Sequence, residues 1–595
     1  MEGGKMSRKS FLTITVLSVV GLLLSACGQT ATPIPVATAT TAAVIATTAA
    51  TAQAPVAAPT ATAVPFKPVF LSVSMEQQST WVRNFNPYSP DARIPAGQGF
   101  IYEPMMVFNK SSGALVPWLA TGYTWSGNDT VLTFNIRQGV QWSDGQPFTA
   151  QDVIFTFNLL KTHDALVNYM GGTLMNDEID SWTAPDDHTV VIKFKTVNVP
   201  SLYVISNTLI VPEHIWKTID DPVTFTNPTP VGTGPFTEVT KFENQIFVLE
   251  RNPHYWQEGK PYFQGIRFPA YPDNDSALLA MINGELDWSG NFYPDIEKTL
   301  ISKDPKDLHY YFVGGDAVML YINPALKPFD NPDVRKAVSM GIDRQQLVNV
   351  AMFDYVAPLT GAGLSDQYKQ WVNPAAVAAA TWMNHDVQKA NEILDSLGFT
   401  KGSDGIRRDK DGKKMSYPCS SPAGWTDWNS DCQIISNNMK DIGIEVTVDT
   451  PEENTWGDMV MKGEHKWSLG WPSGGADPYN YFRSQMSSKT VLPIGTPSNE
   501  NWNRFVDPEA DSLLDLYAKT ADPAQQKDIM NQLQMLFVKD APALPLYPQV
   551  DWYEYSTKNF TGWPDKDNPF VPGAPFDTPS FSPQALILIT AIKPV

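Results

Sequence analysis

The sequence predicts an α/β protein, on three observations. Apolar residues recur with a period of two in Phe70-Leu-Ser-Val-Ser74, Val131-Leu-Thr-Phe-Asn-Ile-Arg137 and Val190 to Phe194, the mark of half-buried strands. Helical patterns with start and stop signals accompany them. Thr149 precedes the apolar run through Phe157, Leu159 and Leu160, with Asp152 three residues on, and Gly398 ends the pattern from His385 to Leu397. From Pro228 to Leu320, and again from Asn331 to about Ala541, strand and helix patterns alternate.

Taken in order, the chain begins with Lys5, Arg8 and Lys9, followed by the apolar run Phe11 to Leu24 and the small residues of Leu24-Ser-Ala-Cys27. This is the anatomy of a secretory signal, outside the fold proper. Its last four residues resemble a bacterial lipobox, which implies cleavage before Cys27 and a diacylglycerol on its sulfur. The expected segments are a signal peptide at 1–26 and a tether at 27–66. That tether is uncharged from Gly28 to Pro65 and built of Ala, Thr, Pro and Val, so it cannot bury a core. The remaining stretch, 67–595, is the folded part. No other segment approaches the ~18 apolar residues of a membrane span, and Ala585 to Ile592 reads as a short buried strand.

A chain of 595 residues holds about three to four folding units at ~100–200 residues each. With 43 basic against 63 acidic residues, it lacks the clustered positive charge that nucleic acid demands. Catalytic signatures are also missing. There is no phosphate loop, no G-x-G-x-x-G after a strand, no G-x-S-x-G elbow and no H-E-x-x-H helix. The seven histidines are scattered, which points away from a metal or haem cargo. Asp409-Lys-Asp-Gly412 reads as a hairpin turn, since the other ligands of a calcium loop are lacking. With Cys27 lipidated, Cys419 and Cys432 remain, and they can form a bridge or stay as two buried thiols.

Several long stretches resemble one family. They are Ile101-Tyr-Glu-Pro-Met-Met-Val-Phe-Asn109, Leu115 to Ala120, Phe134 to Phe157, Gly232-Thr-Gly-Pro-Phe236, Arg251 to Trp256, Gly284-Glu-Leu-Asp287, Asn331 to Arg344 and Ala541 to Tyr547. In this order they are similar to the large solute-binding proteins of the oligopeptide/dipeptide/nickel class, the family-5 extracellular receptors of ABC importers. The resemblance implies a two-lobed periplasmic-binding-protein-like fold (type II, cluster C) with an extra inserted domain. By position, the first lobe would comprise about 67–99, 228–318 and 546–595, the inserted domain about 100–227, and the second lobe about 319–545. It further implies a monomeric, lipid-anchored receptor outside the cell or in the periplasm. Such a receptor uses no cofactor and catalyses nothing, and it passes its solute to a permease and ATPase.

In peptide-binding members an aspartate three residues after a Gly-Trp pair anchors the ligand's amino group. Here Gly470-Trp471 leads to Gly474, and Asp477 falls at the following Asp-Pro. The resemblance makes Trp288 and Trp471 the preferred ligand contacts, with Trp425, Trp428, Trp502, Asp477, Asn480 and Asn323 as further candidates. Gly232 and Gly234 are expected to shape cleft-side backbone. Oligopeptide is the family's usual cargo. The 18 tryptophans and the missing aspartate raise a β-linked oligosaccharide beside it, because flat indole faces suit sugar rings as well as peptide side chains.

Overall fold

The computed structural model describes residues 67–595 except 76, 90–98, 164, 167–177, 499 and 577–582. The signal peptide, Cys27 and the tether lie outside the described residues.

Lys67–Ser74 forms the centre of a seven-stranded sheet and buries Leu71 and Val73 on one face. It pairs in parallel with Phe263–Pro269 on one side and with Trp288–Ser289 on the other. Ile246–Arg251 and Phe236–Glu243 extend one edge; Glu554–Ser556 and Leu308–Tyr310 extend the other. Chain from both ends of the sequence thus meets in the first lobe.

A separate four-stranded antiparallel sheet lies between residues 120 and 194, ordered Ala120–Ser126, Val131–Ile136, Thr189–Phe194, Ile179–Asp186. Leu132, Phe134 and Ile136 point into its core, as their alternation predicts. Helix Ala150–Thr162 starts with the expected capping box: Thr149 N donates to Asp152 Oδ2 at 2.9 Å and Gln151 N donates to Thr149 Oγ1 at 3.2 Å.

The second lobe is built on a five-stranded sheet, ordered Glu445–Asp449, Ser416–Ser420, Trp467–Gly470, Val313–Ile322, Leu544–Asp551. Helix Thr426–Asp441 packs on it and buries Trp428, Ile435 and Met439. Two short crossings join the lobes, at Tyr311-Phe312 and at Trp552-Tyr553. They run side by side: Val313 pairs with Asp551, and Tyr311 N donates to Tyr553 O at 3.2 Å. The divisions expected at 318/319 and 545/546 each fall inside a strand of this second sheet.

Three local expectations meet the structure differently. Residues 409–412 do form a hairpin turn, with Asp409 N donating to Lys413 O at 2.9 Å. The apolar run near the C-terminus is not a strand: Ala585–Ile589 is a helix, and only Lys593–Pro594 pairs, with Phe560–Thr561. Ala585, Leu588 and Ile589 are buried on one side of this helix, at i, i+3 and i+4, and Ile592, beyond its end, is buried as well. Cys419 and Cys432 are two buried thiols without a bridge, Cys419 on strand Ser416–Ser420 and Cys432 on the helix above it.

Candidate functional site

The second lobe gathers five tryptophans from four chain segments. Trp425 sits at the N-cap of helix Thr426–Asp441 and Trp428 one turn later. Trp456 comes from helix Glu453–Met461, Trp471 follows strand Trp467–Gly470, and Trp502 lies in a loop. Trp425 and Trp471 lie nearly parallel, with centroids 6.1 Å apart and planes inclined by 18°. Trp502 stands edge-on to Trp471 at 5.7 Å and to Tyr321 at 5.8 Å. Trp456 is held in place by its Nε1, which donates to Ser468 Oγ at 2.9 Å. The indole N–H groups of Trp471 and Trp502 are buried and have no acceptor. A buried donor without a partner costs on the order of 1–3 kcal/mol, so two of them in one aromatic cluster mark a place suited to receive oxygen atoms.

This cluster opens on a pocket between the lobes. The first lobe contributes Gln77, Asn274, Gly290 and Phe292; the second contributes Trp425 and Asp427; Trp552, at the crossing, completes it. Gln77 Nε2 donates to Asn274 Oδ1, which fixes both amides at the rim. Phe292 packs edge-on against Trp552 at 5.0 Å. The pocket holds about 30 Å³, room for one or two waters.

Asp427 brings charge to this pocket. Burial pushes its carboxyl up to about 6, although backbone N–H groups of its own helical turn favour the anion. One turn on, Asp431 is buried too and accepts a hydrogen bond from the Tyr547 hydroxyl. Burial raises the Asp431 carboxyl well above its ordinary value, and the nearby charge of Asp427 adds to the effect.

Of the residues singled out by sequence, Trp425, Trp428, Trp471 and Trp502 come together here. Trp288 does not. It is fully buried in the first lobe, donates through Nε1 to Gly573 O at 2.7 Å and packs on Trp563 at 6.0 Å. Asn323 is spent on a turn: Nδ2 donates to Gly463 O at 2.7 Å and Oδ1 accepts from Ala325 N. Asp477 opens helix Tyr479–Met486, accepting from Tyr479 N at 2.8 Å. Asn480 Nδ2 reaches back to Gly474 O at 3.4 Å and braces the loop after Trp471. Gly232 and Gly234 line a packing seam. A Cβ on Gly232 would lie 1.9 Å from Ile101 O, and one on Gly234 2.2 Å from Phe100 O. These glycines let the first lobe approach the backbone at Phe100-Ile101, and that approach accounts for them without a ligand.

Sequence reasoning missed Trp456, Asp427, Gln77, Asn274, Phe292 and Trp552. Asp427 stands between two tryptophans already singled out, so its neighbourhood was a usable signal. Gln77 and Asn274 carried none, being ordinary polar residues 197 positions apart. Among the described residues no group of three or more His, Cys, Asp or Glu could hold a metal, and no helix is long and apolar enough to cross a membrane.

Residues 114–491 match the family model described as bacterial extracellular solute-binding proteins, family 5 middle. The chain is 24% identical over 542 residues to di/tripeptide-binding protein 2 of Pseudomonas aeruginosa, covering 84% of this chain and 94% of that one. It is 25% identical over 464 residues to the glutathione-binding protein of Salmonella typhi, covering 75% and 82%. Among solved structures, a mannohexaose-bound periplasmic oligopeptide-binding protein of Thermotoga maritima is similar at a TM-score of 0.79 and 26% identity, covering 88% of this chain and 98% of that one. An oligopeptide-binding protein of Bacillus subtilis in complex with a nonapeptide shares the fold, with a TM-score of 0.72 at 20% identity, covering 89% and 100%.

Proposed function

Because the chain belongs to family 5 of the bacterial extracellular solute-binding proteins, we propose that it captures a solute between its two lobes and delivers it, chemically unchanged, to the permease and ATPase of an ABC importer. The observation that carries this reading is the pocket to which both lobes and the crossing contribute. Its walls can be complete only when the lobes are together, so closure buries the guest and changes the outline that a permease meets. The paired strands at the crossings, with Val313 opposite Asp551, give that motion a hinge.

Oligopeptide is the leading cargo, by likeness to relatives named for dipeptides, tripeptides and glutathione. A second reading, a β-linked oligosaccharide, is favoured by one arrangement: Trp425 lines a cleft with amide and carboxylate side chains and is backed by four further indoles, two of them with unpartnered N–H groups. Such a surface stacks on sugar rings and hydrogen-bonds their hydroxyls. The likeness to a mannohexaose-bound protein supports this second reading.

The remaining features belong to the same proposal. The mature protein is a monomer anchored through a lipid on Cys27 and held off the membrane by residues 27–66. Its folded part divides into two lobes and an inserted domain of about 100–227. Fatty-acid labelling that persists in Cys27→Ser would refute the anchor.

The decisive test of capture is a melting screen of oligopeptides against cello-, xylo- and manno-oligosaccharides. A cargo at 100-fold over its Kd should stabilise the folded state by ~2.7 kcal/mol. Stoichiometric binding without turnover supports the reading; hydrolysis of the bound compound would overturn it.

A further inference from the structure

Polar atoms lacking partners also cluster where the chain enters the second lobe. Asp316 lies on strand Val313–Ile322, three residues past its start. Its Oδ1 is shut off from solvent and has no hydrogen-bond partner. On the neighbouring strand Leu544–Asp551, two buried side chains are in the same condition. Gln549 Nε2 has no acceptor, and Asp551 Oδ2 has no hydrogen bond, its nearest charge being Lys110 Nζ at 3.7 Å. Gly315 brings these groups to one place, since a Cβ on it would stand 3.3 Å from Asp551 Oδ1 and 3.6 Å from Gln549 Cβ.

Gly474 supplies the space. A Cβ there would lie 2.2 Å from Asp316 Oδ2, so the carboxylate rests on a bare backbone. The Tyr368 hydroxyl, which accepts from Gly475 N at 3.0 Å, braces the same spot. Burial raises the Asp316 carboxyl to about 6 against the pull of Lys110 and Tyr368, and Asp551 adds to the rise. Burial raises Asp551 as well. The charge of Lys110 acts on both carboxyls. Two carboxylates, Asp551 buried and Asp316 half-buried, face the one ammonium of Lys110, and a charge withdrawn from water needs a partner. A metal ion fits poorly, since no third acidic or His/Cys ligand joins them among the described residues.

We infer that Asp316, flanked by Gln549 and Asp551, is a recognition point for a positively charged nitrogen on the captured solute, with Gln549 Nε2 meeting an oxygen beside it. This rests on the capture reading and deepens it. It sets the charge of the guest, whether its skeleton is peptide or sugar.

Titration calorimetry on two matched pairs tests the assignment: tetra-alanine against N-acetyl-tetra-alanine, and glucosamine hexamer against its fully N-acetylated form. The wild type is expected to hold the free-amine member at least ten-fold tighter in whichever pair binds. Asp316→Asn should bring that ratio to within two-fold, by weakening the free-amine member. Equal affinities within the pair for the wild type, a comparison that needs no variant, would overturn the assignment alone. An undiminished ratio in Asp316→Asn would do the same. If the wild type bound neither pair nor mannohexaose, the capture reading itself would fall and take the assignment with it.

Discussion

Trp425 and Trp471 face each other across two chain segments with planes only 18° from parallel, yet just one of them, Trp425, reaches the pocket between the lobes. Trp471 sits behind it, 7% exposed, with its N–H unpaired. The cluster thus has an outer face for contact and an inner face that stiffens it.

Trp425→Ala should weaken cargo binding at least ten-fold and shift the melting temperature little, because that indole is only partly buried. Trp288→Ala should do the opposite. Emptying a fully buried site costs ~3–5 kcal/mol of stability, while the affinity of the folded molecules stays at the wild-type value. Denaturant melts and calorimetry on both variants separate the two roles; matched losses of affinity would contradict the placement of Trp288.

Asp427 predicts a pH dependence of definite sign. Its folded carboxyl titrates near 6, above the ordinary 3.8. Between those values the unfolded chain gives up its proton while the folded one keeps it, so this group's contribution to stability is full at low pH and lost as pH rises through 6. Asp427→Asn should therefore raise stability at pH 7.5, by on the order of 1–3 kcal/mol, and give little gain at pH 4. Melts at the two pH values, without cargo, decide it. An equal gain at both would show that the carboxyl is not the source.

Gly232→Ala should be costly although alanine is small. The new methyl meets a main-chain carbonyl oxygen 1.9 Å away, and backbone yields less readily than a side chain. A loss on the order of 1–3 kcal/mol is expected from such overpacking. Urea unfolding measures it, and an unchanged midpoint would mean that the seam with Ile101 is looser than described.

Cys419 and Cys432 should both react with iodoacetamide once the protein is unfolded without reductant, and neither should react in the native state, where both are buried. Mass spectrometry of the peptides reads the outcome. Labelling that appears only after reduction would reveal a bridge.

What the sequence made legible follows from how local each signal was. The capping box at Thr149 and Asp152 and the alternation of Leu132, Phe134 and Ile136 are written within a few residues, and the structure repeats them. The helix Ala585–Ile589 was not legible, because a short and almost continuously apolar run carries no periodicity and reads as either element by composition alone. The tryptophans near residues 425, 471 and 502 stood out by their number and loop positions. Trp288 has the same chemistry and was separated from them only by what surrounds it. The pairing of Gln77 with Asn274, and of Asp316 with Gly474, depends on the chain returning to one place after long excursions. No window of sequence records that return.

The contact among Trp425, Trp428, Trp456, Trp471 and Trp502 also gives the protein a built-in optical reporter. Excitation energy passes readily between rings with centroids about 5–6 Å apart, so the group emits as a coupled set. A guest that quenches Trp425 dims its neighbours too, and arrival in the cleft can be followed by ultraviolet emission with no dye attached.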